Sequence, residues 1–224
     1  MRIVTFNIQH GRTPAGRVDT AALARYCAGL DADVLALQEV DHRVRRSGRA
    51  DQAAEVARTA GMAGVFGAAR RLGPWARYGN ALLARGRLVD VATIALPRAV
   101  GREPRVAVLA RVEVGDRALS VAATHLSTDG GDASVQLAVV LGALGTRPLP
   151  RLVVGDLNLR PDVAVPALER AGYSVAPTAG ATYPAARPFL RIDHVAAQGL
   201  DIERATVLDA APVSDHRPLR VEVR

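Results

Sequence analysis

The sequence is poor in cysteine and lacks any long apolar run, and each absence excludes a class of protein. Cys27 is the single cysteine, which rules out an intrachain disulfide and a thiolate metal cluster. No apolar run reaches the roughly 18 to 20 residues that a membrane span requires. The chain also opens on a strand-like segment rather than on a basic and apolar leader, so we expect a cytoplasmic protein without a membrane span.

Lysine is absent as well: all 29 basic residues are arginines, and the formal net charge is +7. Such an excess of positive charge favours a partner that carries phosphates. A GC-rich coding bias, which turns lysine into arginine, explains the same composition equally well. Charge alone therefore does not identify nucleic acid as the partner, because the chain has neither a long basic run nor aromatic residues interleaved with basic ones.

The length of 224 residues, 49% of them hydrophobic, suits a single α/β domain over residues 1–224. Helical spacing of apolar residues predicts helices over 18–30, 51–60, 132–144 and 162–171. Apolar and β-branched runs predict strands over 2–6, 34–37, 81–84, 88–96, 106–114, 118–123, 152–154, 191–195, 202–208 and 219–223. Segments 67–77 and 173–190 are predicted to be loops that shape the mouth of a site. Hairpins mixed with strand–helix alternation predict a layered α/β fold.

Polar residues stand at the ends of the predicted strands, where α/β folds commonly place their chemistry. They lie in six short segments: Phe6-Asn7-Ile8-Gln9-His10-Gly11, Leu37-Gln38-Glu39-Val40, Thr124-His125-Leu126-Ser127, Gly155-Asp156-Leu157-Asn158, Arg191-Ile192-Asp193-His194 and Ser214-Asp215-His216-Arg217-Pro218. The only three asparagines, Asn7, Asn80 and Asn158, also follow or open a strand. One such residue has a simple explanation as a turn residue or a solvated cap. Six segments in one chain indicate a shared site.

In this order the motifs resemble those of the endonuclease/exonuclease/phosphatase superfamily, which has the deoxyribonuclease-I-like fold. Gly79-Asn80-Ala81-Leu82-Leu83 joins the six segments, and the set spans residues 5–219. The resemblance implies a four-layer sandwich of two packed β-sheets flanked by helices. It also implies Mg²⁺- or Mn²⁺-dependent hydrolysis of phosphodiesters or phosphomonoesters.

The resemblance assigns the metal ligands to oxygen-bearing side chains. Glu39 is the first candidate, Asn7 would supply a carbonyl oxygen directly or through water, and Asp215 matches a further carboxylate near the metal. Mg²⁺ prefers oxygen ligands and retains several of its waters, so this small set suffices. The cation would offset charge on the phosphate and on its leaving oxygen. Asn80 is expected to line the same cleft and to contact substrate.

The resemblance also implies the catalytic residues. Asp156 matches the base that orients and deprotonates the attacking water, and Asn158 would hold that water or a phosphate oxygen by its amide. His216 would donate to a non-bridging oxygen, while Asp193 would orient its ring and favour the imidazolium. His125 would be a second donor, either to the phosphate or to the leaving group.

Three functions remain open at this point. Gln9 stands where some nuclease members carry an acid, and the chain is short for the family, which favours a phosphodiesterase acting on a small molecule or a lipid headgroup. The net charge of +7 favours a DNA or RNA nuclease instead. A non-catalytic binding domain on the same fold is the third alternative. We expect a monomer, and we expect His10, His42 and His194 to be structural or exposed.

Overall fold

The computed structural model describes residues 1–177, 180–209 and 212–224, and within these ranges twelve strands form two six-stranded sheets. In chain order the strands are β1 (Arg2–Asn7), β2 (Val34–His42), β3 (Ala63–Arg71), β4 (Arg77–Ala84), β5 (Arg87–Ala95), β6 (Val106–Val114), β7 (Arg117–His125), β8 (Arg151–Asp156), β9 (Ser174–Val175), β10 (Asp193–Gln198), β11 (Ile202–Val207) and β12 (Leu219–Val223). The first sheet has the order β11-β12-β1-β2-β4-β3, and the second has the order β5-β6-β7-β8-β10-β9. β1 pairs in parallel with β2 and antiparallel with β12, while β7 and β8 form the parallel pair of the second sheet, so both sheets are mixed.

The described ranges contain four α-helices: α1 (Thr20–Gly29), α2 (Gln52–Ala60), α3 (Gly130–Gly145) and α4 (Pro161–Arg170). The first three begin after an aspartate whose carboxylate accepts a backbone N–H of the first turn, namely Asp19, Asp51 and Asp129. α4 begins with Pro161, whose missing N–H is not needed at a helix start. None of the helices within these ranges combines the length and the apolar character that a membrane crossing requires.

Three apolar clusters join the layers. The central cluster lies between the two sheets and includes Ile3, Leu82 and Val108. A second cluster packs α1 and α2 against the first sheet, with Leu23 among its buried residues, and a third packs α3 and α4 against the second sheet around Leu137. The order of layers is therefore helices, sheet, sheet, helices, which confirms the expected four-layer sandwich.

β3 occupies a segment that the sequence predicts to be a loop. The predicted loop 67–77 is reduced to residues 72–76, because Ala63–Arg71 pairs with β4. The composition of this segment hides the strand. A Cβ at Gly67 would lie only 2.4 Å from Cγ2 of Val108 in the facing sheet, so a residue with low strand preference is required there. The close approach of the two sheets therefore requires glycine at position 67, even though glycine has a low preference for strands.

Other boundaries differ from the predictions by a few residues. β2 continues to His42, beyond the predicted end at residue 37, and β10 covers Asp193–Gln198 rather than 191–195. Within the predicted loop 173–190, Ser174–Val175 forms the short β9, and Tyr183 forms an isolated bridge with Leu190. Residues 178–179 of that loop lie outside the described residues.

Candidate active site

A cleft of about 590 Å³ lies where β1, β7 and β8 end. Most of the predicted site residues line it: Asn7, Glu39, His125, Asp156, Asn158, Asp215 and His216. Asp193 is buried and is hydrogen-bonded to His216. One cleft therefore brings together residues that are more than 200 positions apart, since Asn7 and His216 both line it.

Strand pairing explains why residues far apart in the sequence meet. β7 and β8 are parallel, and their last residues, His125 and Asp156, are register partners. Asp193 opens the antiparallel β10 and is also a register partner of Asp156. In the first sheet, Asn7 ends β1 opposite Gln38 of β2. Each sheet thus delivers polar residues to the same cleft.

Glu39 reaches the cleft through an irregularity in β2. The register of β2 against β4 shifts between Leu37 and Val40, and Glu39 has a φ of 60°. A non-glycine residue in this left-handed region is strained, and such strain persists mainly at functional sites. A bulge also redirects a side chain from the regular alternation of a strand. The Glu39 carboxylate meets Asn7 here, whose Nδ2 donates to Oε1 at 3.1 Å.

Asp156 is the centre of the hydrogen-bond network. Its Oδ2 accepts a hydrogen bond from Nδ2 of Asn7 at 3.0 Å, and its Oδ1 accepts one from the backbone N–H of Asn158 at 3.0 Å. Nε2 of His125 lies 3.5 Å from Oδ2, and Nε2 of His216 lies 3.8 Å from it. Burial, followed by the negative charge of Asp193, raises the pKa of Asp156. The carboxylate is therefore a stronger base than an exposed aspartate.

The ring of His216 is fixed by contacts on several sides. Its Nδ1 is 3.0 Å from Oδ2 of Asp193, and the Tyr183 ring packs against it with centroids 4.8 Å apart. The backbone N–H of His216 donates to Oγ of Ser214 at 3.0 Å. Burial would lower the pKa of His216, but the charge and hydrogen bond of Asp193 outweigh it and raise the pKa to about 9. His216 is thus an imidazolium at neutral pH.

His125 is held in the opposite charge state. Nη1 of Arg105 lies 3.1 Å from Nδ1 of His125, and Nδ1 must accept this hydrogen bond because a guanidinium carries only donors. The proton of the neutral ring is therefore on Nε2, the nitrogen that faces Asp156. Burial, followed by the positive charges of Arg105 and His216, lowers the pKa of His125 well below its usual range.

Asn7 and Asn158 orient their amides toward neighbours within the site. Oδ1 of Asn7 accepts the backbone N–H of Gln9 at 3.1 Å, so the side chain presents its NH₂ group to Glu39 and Asp156. Asn158 donates one amide N–H to the carbonyl oxygen of Leu126 at 3.0 Å, and its second N–H remains for another acceptor.

Asn80, like Asp193, is a predicted site residue that is not among those lining the cleft. It is buried, and its Nδ2 donates to the carbonyl oxygen of Val106 at 3.0 Å, which ties the first sheet to the second. Its amide thus satisfies a buried backbone group between the sheets, and the contact of Asn80 with substrate stays a prediction. In the sequence, Asn80 and Asn7 both stand at a predicted strand, so the sequence alone does not distinguish a residue that lines the cleft from one that bonds to buried backbone.

The acidic residues of the cleft form an oxygen-rich set that fits Mg²⁺ or Mn²⁺. Glu39 and Asp215 are half-buried in the lining, and Oδ2 of Asp215 accepts a hydrogen bond from Nε2 of Gln9 at 2.9 Å. Within the described ranges, one group of acidic and histidine side chains has candidate ligand atoms within 4.8 Å of one another: Asp156, Asp193 and His216. Oδ1 of Asp193 is buried there without a hydrogen-bond partner among the described residues. A cation nearby would offset these closely spaced negative charges.

Sequence reasoning missed a second group of lining residues: Tyr78, Glu103, Arg105, Thr128, Arg160, Tyr183, Leu190 and Ile192. Tyr183 and Leu190 belong to the predicted loop 173–190, which therefore does contribute to the cleft. Arg105 is one of 29 arginines and stands before β6 without a distinguishing motif, so nothing in the sequence singles it out.

Comparison with known sequences identifies the family of the chain. The pattern that describes the endonuclease/exonuclease/phosphatase family matches residues 4–216. None of the curated proteins compared with this chain matches it.

Solved structures share the fold over the whole chain. An endonuclease/exonuclease/phosphatase from Beutenbergia cavernae DSM 12333 superposes with a TM-score of 0.81 at 26% identity, covering 100% of this chain and 71% of that one. A mannosyl-6-phosphatase of Bacteroides thetaiotaomicron VPI-5482 gives 0.80 at 15% identity, with 100% and 99% covered. The catalytic domain of human Nocturnin with bound sulfate gives 0.75 at 20% identity, with 100% and 93% covered. Because the family pattern spans nearly all of the sequence, the chain belongs to the endonuclease/exonuclease/phosphatase family.

Proposed function

We propose that this protein is a Mg²⁺- or Mn²⁺-dependent phosphoesterase that hydrolyses a phosphodiester by in-line attack of water. The family comprises nucleases and phosphatases, and both classes cleave phosphate esters. The surroundings of Asp156 carry the proposal: a buried carboxylate at the cleft has two asparagines bound to it and two imidazoles within 3.8 Å. These groups offer a base and several donors around one space.

Asp156 is the proposed base. The oxygen of a water molecule would form a bond to phosphorus while its proton passes to the Asp156 carboxylate, and the bond from phosphorus to the leaving oxygen would break. The raised pKa of the Asp156 carboxylate is closer to neutral pH, and a general base is most effective when its pKa is near the pH at which it works. The hydrogen bonds from Asn7 and Asn158 keep the carboxylate in one orientation. The second amide N–H of Asn158 would hold the water or a phosphate oxygen.

The two histidines would act on the phosphate in different charge states. His216, as an imidazolium, would donate from Nε2 to a non-bridging oxygen, where negative charge accumulates. His125, as a neutral imidazole, would donate its Nε2–H to the phosphate or to the leaving oxygen. Asp193 acts through His216, because its carboxylate holds the ring in place.

Glu39 and Asp215 would hold the cation, with Asn7 joining through water or after its amide has turned over. When bound, the cation would supply positive charge that stabilises the phosphate and its leaving oxygen. The Oδ1 atom of Asp193, which is buried without a hydrogen-bond partner among the described residues, supports a cation in this cleft. The pKa of Asp156 is raised by burial and then by the negative charge of Asp193, and a nearby cation would offset that charge.

Hydrolysis of bis-p-nitrophenyl phosphate with Mg²⁺ or Mn²⁺, compared with EDTA, tests the proposal. We expect turnover only with a divalent cation, and we expect Asp156→Asn to lower kcat by at least about 100-fold. Asp116→Asn, in the exposed turn between β6 and β7, is the matched control and should keep full activity. No turnover of this diester, of DNA or of RNA with either cation would contradict the proposal and favour a non-catalytic binding domain.

A nuclease is the second candidate, because the net charge of +7 favours a polyanionic substrate. The same assay with single-stranded DNA, double-stranded DNA and RNA distinguishes it from an enzyme of small phosphodiesters. A nuclease should also lose affinity steeply as salt rises, because phosphates beyond the scissile one contribute to binding.

A further inference from the structure

A second hollow, of about 460 Å³, lies beside the catalytic cleft. It is formed by the segment that follows β2 and by the loop between β3 and β4. We name it the Trp75 groove, and the residues that define it are Arg43, Arg45, Arg49, Leu72, Pro74 and Trp75.

The Trp75 groove is linked to the catalytic cleft through shared lining residues. A smaller hollow of about 120 Å³ lies between them, and it shares Leu72 with the groove and Glu39, Tyr78 and Glu103 with the cleft. Trp75 is three residues from Tyr78, so the extended-chain limit places their Cα atoms at most about 11 Å apart. A ligand whose phosphate occupies the cleft can therefore extend into the groove.

The groove combines positive charge with an aromatic face. The Trp75 side chain is 75% exposed, and no acidic residue is among those that line the groove. Within the described ranges, the exposed Arg43, Arg45 and Arg49 form no ion pair or side-chain hydrogen bond. Arg46, by contrast, donates two hydrogen bonds to Asp41, at 2.8 and 2.9 Å. The three lining arginines therefore keep their hydrogen-bond donors for an anionic ligand.

The loop that carries Trp75 is held in one shape before any ligand binds. Nη1 of Arg77 lies 3.0 to 3.2 Å from the carbonyl oxygens of Gly73, Pro74 and Ala76. The backbone N–H of Leu72 also donates to the carbonyl oxygen of Ala76 at 2.9 Å. Such preorganisation lowers the entropic cost of binding.

We propose that the Trp75 groove binds the nucleotides of a single-stranded nucleic acid that flank the scissile phosphate. A base would stack on the Trp75 indole, and adjacent phosphates would contact the three arginines. A single strand fits this groove, because bases inside a duplex are stacked on both faces and cannot stack on an indole as well. This inference rests on the proposed function, since it names the substrate class of the same cleft.

Trp75 is the only tryptophan, so intrinsic fluorescence reports on the groove directly. We would titrate the full chain, in EDTA to prevent hydrolysis, with an oligothymidylate of eight nucleotides. We expect quenching of the indole, and a log–log salt slope of about −2 if the three arginines each neutralise a phosphate. Arg45→Ala should reduce the size of that slope by about 0.7. Arg25→Ala, which removes an exposed arginine of α1, should leave it unchanged.

Kinetics with two substrates separates the groove from the cleft. Trp75→Ala should raise the KM for the octanucleotide about ten-fold, because it removes one stacking contact. It should leave kcat and KM for bis-p-nitrophenyl phosphate unchanged, since that diester is too short to occupy both hollows. Trp75→Phe keeps an aromatic face and should recover most of the lost affinity.

Several outcomes would overturn the inference. If the octanucleotide does not quench the indole, or if Trp75→Ala affects both substrates equally, the groove does not bind the substrate. Turnover of the nitrophenyl diester would still support the proposed function in that case. Quenching by phosphatidylserine vesicles, but not by the octanucleotide, would assign the groove to a lipid surface. Quenching by the octanucleotide in a protein that hydrolyses no ester would contradict the proposed function alone.

Discussion

Two buried histidines in one cleft differ in charge because their neighbours differ. Asp193 faces Nδ1 of His216 and Arg105 faces Nδ1 of His125, so the two pKa values move in opposite directions. Each neighbour also decides which ring nitrogen presents a proton to the cleft. Arg105 is therefore a positioning residue that acts through His125.

Replacing Arg105 tests this role. Arg105→Leu removes the donor to Nδ1, so we expect the His125 ring to lose its preference for the Nε2–H tautomer and its pKa to rise. Ring ¹⁵N chemical shifts, which are tractable with only five histidines, measure both changes. Turnover should fall by at least about ten-fold. Arg117→Leu, at the exposed start of β7, is the control, and an unchanged His125 tautomer in Arg105→Leu would assign its orientation to another group.

His194 links stability to pH. It is buried, its Nε2 is 2.8 Å from the carbonyl oxygen of Leu159, and burial lowers its pKa from 6.5 to about 4. Between these pH values the unfolded chain binds a proton that the folded chain does not, so stability is lost as the pH falls from 6.5 to about 4. A loss of roughly 3 kcal/mol is expected.

Urea unfolding of the wild type and of His194→Gln at pH 7 and at pH 4.5 measures this contribution. The variant keeps a donor for Leu159 but cannot be protonated, so its stability should fall less between the two pH values. If the wild type and His194→Gln lose the same amount of stability between pH 7 and pH 4.5, protonation of His194 is not the cause of the loss.

At the scale of secondary-structure elements, the glycines of the first sheet matter through the space around them. A Cβ at Gly79 in β4 would lie 2.0 Å from the carbonyl oxygen of Gly67 in the adjacent strand β3. No side chain fits there without displacing the backbone of a strand. Gly142 in α3, by contrast, has no atom within 4 Å of such a Cβ.

Two glycine-to-alanine variants should therefore shift stability in opposite directions. Gly79→Ala should lower the free energy of unfolding by about 3 kcal/mol, since β3 and β4 must separate locally. Gly142→Ala should raise it by about 0.5 to 1 kcal/mol, because alanine favours a helix and meets no obstacle. Urea unfolding measures both, and a neutral Gly79→Ala would mean that the strand edge is deformable.

Sequence patterns predicted the helices and strands that bury a continuous apolar face. They missed β3, which forms by pairing with β4. The helices α1 to α4 and the β6–β7 hairpin follow from spacing and turn residues. β3 was missed because its glycines are required by the close packing of neighbouring strands, and a local sequence pattern does not contain that information. The same limit holds for the site. Motifs located Asp156 and His216, whereas Arg105 and the inward position of Asn80 depend on three-dimensional contacts.

At the scale of the whole molecule, the first sheet supplies the proposed cation ligands and the second supplies the proposed base. Glu39 belongs to β2 and Asp215 precedes β12, whereas Asp156 ends β8. The apolar cluster between the sheets supports our proposal of one domain over residues 1–224. Binding of a cation at this junction should then stabilise the whole fold.

Thermal unfolding measures that linkage. A cation that binds only the folded state contributes about 2.7 kcal/mol at 100 times its Kd, so Mg²⁺ should raise Tm by roughly 5 to 10 °C. Glu39→Gln should require a higher Mg²⁺ concentration for the same shift, while Glu169→Gln, an exposed residue of α4, should behave as the wild type. An identical Mg²⁺ dependence in Glu39→Gln would make another residue the main ligand.

The pairing of β1 with β12 has a consequence for how the protein is made. β1 is the first of the described strands to be synthesised, and its antiparallel neighbour, β12, is the last. His216 stands just before β12. Asn7 and His216 therefore line one cleft only after the segment between them has been synthesised. A product that terminates before β12 would lack the antiparallel neighbour of β1, so we expect it neither to complete the first sheet nor to assemble the proposed site.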